Sequence, residues 1–128
     1  MKYFGIDYGE KRVGLAVSDE EGVFAFPREI IRNQGTKNLL RALVVFIARE
    51  HAKAVVVGLP LGADNQDTAQ TKVVRAFAEE LRKMISIPIF FQNEILSTRI
   101  ARESSRKEYI DDSSAALILQ SYLDRLKR

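Results

Sequence analysis

The opening of the chain constrains its fold most. "KYFGIDYG", "RVGLAVSD" and "VFAFPREII" are three short apolar runs separated only by the turn-rich "YGEK" and "DEEG". Connections that short join antiparallel strands, because a parallel pair needs a crossover of a dozen residues or more. A sheet that alternates strand and helix from its first element, as in a flavodoxin-like fold, does not begin this way.

The pattern then changes. From Thr36, read as an N-cap, Leu39, Leu40, Leu43, Val44 and Ile47 recur at helical spacing and predict a helix to about His51. "KAVVVGLP" is a continuous β-branched run without alternation, the mark of a central strand covered on both faces, and Pro60 ends it. A polar stretch, "LGADNQDTAQ", leads to a second helix with Val73, Phe77, Leu81 and Met84 as its apolar stripe. "IPIFFQNE" reads as a fifth strand, and "STRIARESSRKEY" as a short helix plus loop. A last helix starts at Asp111 and buries Ala115, Ile118, Leu119, Tyr122, Leu123 and Leu126. Three hairpin strands followed by two strands delivered through helices give an α/β mixed five-stranded sheet, three antiparallel strands plus two parallel, with helices on both faces. That is the pattern of a ribonuclease H-like fold, expected as one domain over residues 1–128.

Composition narrows the chemistry. There is no cysteine and one histidine, His51, so a metal site here must be built from oxygen. The amino terminus meets charge too soon for a signal peptide, and no apolar run approaches the length of a membrane span, so the cytoplasm is the expected location. The net charge of +3 suits a polyanionic partner. Lys11 and Arg12 lie in the first turn, and Arg99, Arg102, Arg106 and Lys107 crowd one short segment. A solvated surface is the ordinary reading of any one such group.

Three acids stand out by position. Asp7 closes the first apolar run, Glu94 closes the fifth, and Asp112 precedes the last helix. Side chains leave an α/β sheet together beyond the carboxyl ends of its strands, where ligands bind. Three converging carboxylates repel, at about 4 kcal/mol per pair of charges ~4 Å apart with an effective dielectric of 20, and a hard cation such as Mg2+ or Mn2+ offsets this. Two such ions clamp the attacking and leaving oxygens of a phosphoryl displacement. Each acid also has a plainer use: an Asx turn for Asp7, a solvated strand end for Glu94, a helix cap for Asp111 or Asp112. Spacing leaves both readings open.

The resemblance decides further. "GIDYGEKRVGLAVSD", "VVVGLPLGADNQDTAQTKVVRAFAEEL", "NEILST" and "DDSSAALILQSYLD" together resemble the YqgF (RuvX) family, bacterial ribonuclease H-like proteins associated with Holliday junction resolution and pre-16S rRNA processing. The likeness spans nearly the whole chain. It implies a metal-dependent endonuclease whose three acids fall on Asp7, Glu94 and, by its spacing to Ala115 and Ala116, Asp112 rather than Asp111, with Mg2+ or Mn2+ as cofactor and two ions expected once substrate is bound. It also implies phosphate contacts from Arg12, a substrate-groove loop at "GLPLG", and a nucleic-acid partner, either pre-rRNA in the small-subunit precursor or branched DNA. Asn93, Glu94 and Ile95 replace the family's usual Asp-Glu-Arg, and the segment between Thr98 and Asp111 is short for the family. Arg99, Arg102, Arg106 and Lys107 replace part of the positive charge.

Processing of the 5′ end of 16S rRNA is the leading expectation, and junction resolution, which favours a dimer, is the alternative. A ribosome-assembly module that binds nucleic acid and cleaves weakly is a third, from a different class. The expected state is a monomer or weak homodimer without a membrane partner. "GIDYG" also resembles the first phosphate loop of actin-like ATPases, but one domain of this length lacks their second half.

Overall fold

The computed structural model describes residues 1–94 and 113–127. Strands β1 (Tyr3–Asp7), β2 (Arg12–Ser18) and β3 (Ala25–Arg32) precede helix α1 (Thr36–Glu50) and strand β4 (Ala54–Leu59). Helix α2 (Ala69–Arg82), strand β5 (Ile89–Asn93) and the C-terminal helix, here α3 (Ser114–Leu126), follow. The five strands form one sheet in the order β3-β2-β1-β4-β5. The pairings β1–β2 and β2–β3 are antiparallel, whereas β1–β4 and β4–β5 are parallel. The mixed sheet expected from the opening hairpins is therefore present.

Alternation sorts the side chains between two cores. Phe4, Ile6, Val13, Leu15, Val55 and Val57 pack with Leu39, Leu43, Phe77 and Leu81 from α1 and α2. On the opposite face Ala16 and Val56 pack against Ala115, Ile118, Leu119, Tyr122 and Leu123 of α3. β4 is buried along its whole length, which explains its unbroken apolar run.

Helix α3 lies close to the sheet because the residues beneath it are small. A Cβ placed on Gly5 would lie 3.0 Å from Leu119 Cβ, and one on Gly14 3.5 Å from Ala115 Cβ. Leu119 is fully buried at this contact. Leu119→Ala is expected to destabilise the protein by about 2–5 kcal/mol, read by urea unfolding, because the rigid sheet cannot collapse into the space left. A loss below about 1 kcal/mol would mean that α3 is not held by this seam.

Several local expectations need correction. Thr36 is the first helical residue of α1, not its cap; Gly35 holds the cap position and supplies no side-chain bond. In α2 the buried stripe is Thr71, Val74, Phe77, Ala78 and Leu81, while Val73 and Met84 are exposed. One residue is about 100° of helix rotation, so a stripe anchored on Phe77 and Leu81 admits Val74 and turns Val73 outward. Leu126, in the last turn of α3, is exposed. Helix α3 begins at Ser114, and its N-cap is Ser113, whose Oγ accepts the Ala116 N–H at 3.0 Å. The capping role considered for Asp111 or Asp112 is thus filled by Ser113.

Among the described residues no helix is long and apolar enough to cross a membrane.

Candidate metal centre and nucleic-acid face

Register places the candidate site. Asp7, the last residue of β1, is the partner of Gly14 on β2. Gly14 is in turn the partner of Ile30 on β3. On the other side of β1, Ile6 pairs with Val57 and Gly58 pairs with Gln92, so Asp7, Gly58 and Gln92 follow one another across the carboxyl ends of three parallel strands. This row lies on the α3 face, since a Cβ on Gly14 would stand 3.7 Å from Asp7 Cβ and 3.5 Å from Ala115 Cβ. The first turn of α3 is therefore seated beside Asp7.

Glu94 immediately follows β5 and turns back over Gly58: a Cβ on that glycine would meet Glu94 Oε1 and Ile118 Cδ1, each at 2.6 Å. Only glycine leaves room there. The turn brings the Glu94 carboxyl into hydrogen-bond contact with Asp7. Burial first, and then the hydrogen bond and negative charge of Asp7, together raise the Glu94 carboxyl to about 8. Two acids distant in sequence thus meet, with Glu94 retaining its proton at neutral pH in the metal-free protein. Asp7 makes no backbone hydrogen bond of the kind an Asx turn requires among those of the described residues.

The neighbouring Gln92 is almost fully buried, and its Oε1 has no hydrogen-bond partner among the described residues. A buried carbonyl oxygen left unpaired, a glycine-lined space and a carboxyl pair sharing a proton form an all-oxygen environment that fits a hard divalent cation. Among the described residues the acids at this place number two, Asp7 and Glu94, and no group of three potential protein ligands occurs. Asp111 and Asp112 lie outside the described residues, as do Arg99, Arg102, Arg106 and Lys107.

Surrounding loops are firmly tied. Thr68 and Thr71 form a reciprocal capping box at the start of α2. Gly58 and Leu59 of "GLPLG" are the end of β4 rather than loop, and Thr71 also donates to the Pro60 carbonyl at 2.7 Å, anchoring the remainder where it leaves the strand. Asn93 Nδ2 donates to Asn65 Oδ1 at 2.9 Å, joining the following turn to the residue beside Glu94. Lys11, on the β1–β2 connection, and Arg12, the first residue of β2, are exposed at the same end of the sheet as Asp7. Sequence reasoning missed Gln92, and it placed Gly58 in the "GLPLG" groove loop without seeing that it lies beneath Glu94, because neither resembles a catalytic group; only strand register brings them beside the acids.

A family model described as "RuvX: Holliday junction resolvase" matches residues 1–125. The chain belongs to the RuvX family. One relative of this RuvX-family protein, from Lawsonia intracellularis, is 42% identical over 134 residues, covering 98% of this chain and 94% of the relative. Another, from Nitratidesulfovibrio vulgaris, is 39% identical over 133 residues, covering 97% and 94%. Both are named as candidate pre-16S rRNA nucleases. The solved structure of Thermus thermophilus RuvC superposes with a TM-score of 0.65 at 12% identity, covering 99% of this chain and 97% of that one. Fowlpox virus resolvase bound to Holliday junction DNA gives a TM-score of 0.55 at 15% identity, with both chains fully covered. At these identities the structures establish the ribonuclease H-like fold of the RuvX-family chain, while its relatives carry nuclease names.

Proposed function

We propose that this protein is a divalent-metal-dependent endonuclease that processes the 5′ end of pre-16S rRNA. The observation that carries the reading is the Asp7–Glu94 carboxyl pair, half-buried and sharing a proton at the carboxyl ends of β1 and β5. Nothing in a purely structural role calls for that arrangement, and replacing the shared proton with a cation would relieve its repulsion. Asp7 and Glu94 would hold Mg2+ or Mn2+, with Asp112 as the third acid. Bound there, the ion would activate water and stabilise the departing oxygen of a phosphodiester.

The chain's own groups have separate tasks. Asp7 offers its carboxyl oxygens, and Glu94 must give up its proton before it can serve as a ligand. Gln92 offers a neutral oxygen beside them. Ala115 and Ile118 close one side of the site with apolar surface, while Lys11 and Arg12 meet phosphate away from the reacting bond; Arg99, Arg102, Arg106 and Lys107 extend that contact along the substrate. The names of the 42% and 39% identical relatives support rRNA as substrate.

The family's description favours a second reading, resolution of four-way DNA junctions. Purified protein offered an rRNA leader and a four-way junction in Mg2+ or Mn2+ distinguishes the two. The expected result is a discrete cut in the RNA, lost on chelation. Paired symmetric nicks in the junction, with the RNA intact, would replace the first reading by the second.

A further inference from the structure

On the same face of the sheet as Asp7, β2 and β3 hold Arg12 directly opposite Arg32. The row Asp7–Gly14–Ile30 fixes the direction, because Arg12 and Arg32 stand two residues further along their strands from Gly14 and Ile30 and therefore project the same way. Both arginines are exposed. Among the described residues no acid pairs with either. Like charges opposed across two strands disfavour the pairing they sit on, so an anion supplied from outside would relieve it.

These arginines line a groove of about 800 Å³ at the open end of β2 and β3. Lys11 adds a third cation to its wall, against the single acid Glu10. Ile30 contributes an apolar patch and is 61% exposed. The walls are held in place: Asn33 donates from its backbone to the Lys11 carbonyl at 2.9 Å and from Nδ2 to the Gly9 carbonyl at 2.9 Å. Gly9 cannot carry a Cβ, which would collide with the Arg12 carbonyl, so this turn has one close-packed form. The paired arginines lie about 7 Å along the strands from the Asp7 row, two residues at ~3.3 Å each. That is roughly one or two nucleotides along a chain carrying a phosphate at every step.

We propose that Arg12 and Arg32 form a clamp for a non-scissile phosphate of a single-stranded nucleic-acid segment, with an unstacked base resting on Ile30. The word non-scissile rests on the nuclease reading above; the clamp itself does not. A single strand is the occupant because a base can rest on Ile30 only when it is free of duplex stacking, while the cations follow the backbone.

Binding tests this without cleavage. Fluorescence anisotropy in EDTA would follow a labelled single strand of about 12 nucleotides, as RNA and separately as DNA, over about 50 to 200 mM salt. Arg32→Gln is expected to weaken binding about 5- to 10-fold and to lower the salt slope by about one, equally for both strands. Arg32→Lys should keep the slope and lose part of the affinity, and Ile30→Ser should weaken binding without changing the slope. Lys53→Gln, just before β4 at the other end of the sheet, should change neither.

An Arg32→Gln variant that binds like wild type overturns the clamp, as does a loss matched by Lys53→Gln, which would mean only diffuse charge. A loss confined to RNA or to DNA would move the contact to the sugar and overturn the phosphate assignment. If Arg32→Gln weakens binding but the wild type cleaves nothing in Mg2+ or Mn2+, the clamp stands and the nuclease reading falls. Cleavage by wild type with unchanged binding by Arg32→Gln removes the clamp alone.

Discussion

Glu94→Gln is expected to abolish cleavage and, in the absence of metal, to make the protein more stable than wild type at pH 8. Burial and the nearby Asp7 raise the folded-state Glu94 carboxyl from 4.5 to about 8. In the unfolded chain it ionises near its ordinary value. The stability this proton confers is fully present below about pH 4.5, falls as the pH rises, and is lost above about 8, with a slope of at most about 1.4 kcal/mol per pH unit. Over the interval from 4.5 to about 8 the total is at most about 5 kcal/mol. Glutamine keeps the shape and a donor for Asp7 without a proton to lose, so urea unfolding in EDTA should show this decline in wild type and not in Glu94→Gln. Wild-type stability rising between pH 5 and 8 through this group would contradict the shared-proton arrangement. Added Mg2+ should restore wild type at pH 8, since cation and proton compete for one carboxylate, and should leave the variant unchanged. Cleavage should fall on the order of 10³-fold in Glu94→Gln and likewise in Asp7→Asn, because each removes an ionic ligand that the reaction requires.

Gly58→Ala is expected to damage fold and site together. The added methyl would lie 2.6 Å from both Glu94 Oε1 and Ile118 Cδ1, and 2.9 Å from Glu94 Cγ. Neither neighbour can yield freely, since Ile118 is buried between α3 and the sheet and Glu94 is held to Asp7. Overpacking of this kind costs about 1–3 kcal/mol. A carboxylate moved by about 1 Å loses on the order of 10²-fold in rate. Gly14→Ala is the informative comparison: its methyl would meet Ala115 Cβ and Asp7 Cβ at 3.5 and 3.7 Å, ordinary contacts, so stability should change by less than about 1 kcal/mol. Equal stability and equal cleavage for Gly58→Ala and wild type would show that Glu94 does not occupy the space above Gly58. Unfolding curves and cleavage rates on the same preparations read both effects.

The order of elements was legible in the sequence because apolar period and connection length are local: three runs separated by short turns must form hairpins, and a β-branched run without alternation must be covered twice. The acids at the strand ends were legible for the same reason. Helix edges were less so, since Thr36 and Gly35, or Asp112 and Ser113, differ by one residue and either could serve as cap. Whether Asp7 and Glu94 meet, whether Gly58 must lack a side chain, and whether Arg12 faces Arg32 are consequences of strand register. Register depends on the whole sheet, including the irregularity in the β2–β3 pairing between Leu15 and Ala16. Residues on separate strands become neighbours only after every intervening strand has taken its place, so the amino-acid sequence by itself determined which chemical groups the protein carries and the tertiary structure decided which of them touch.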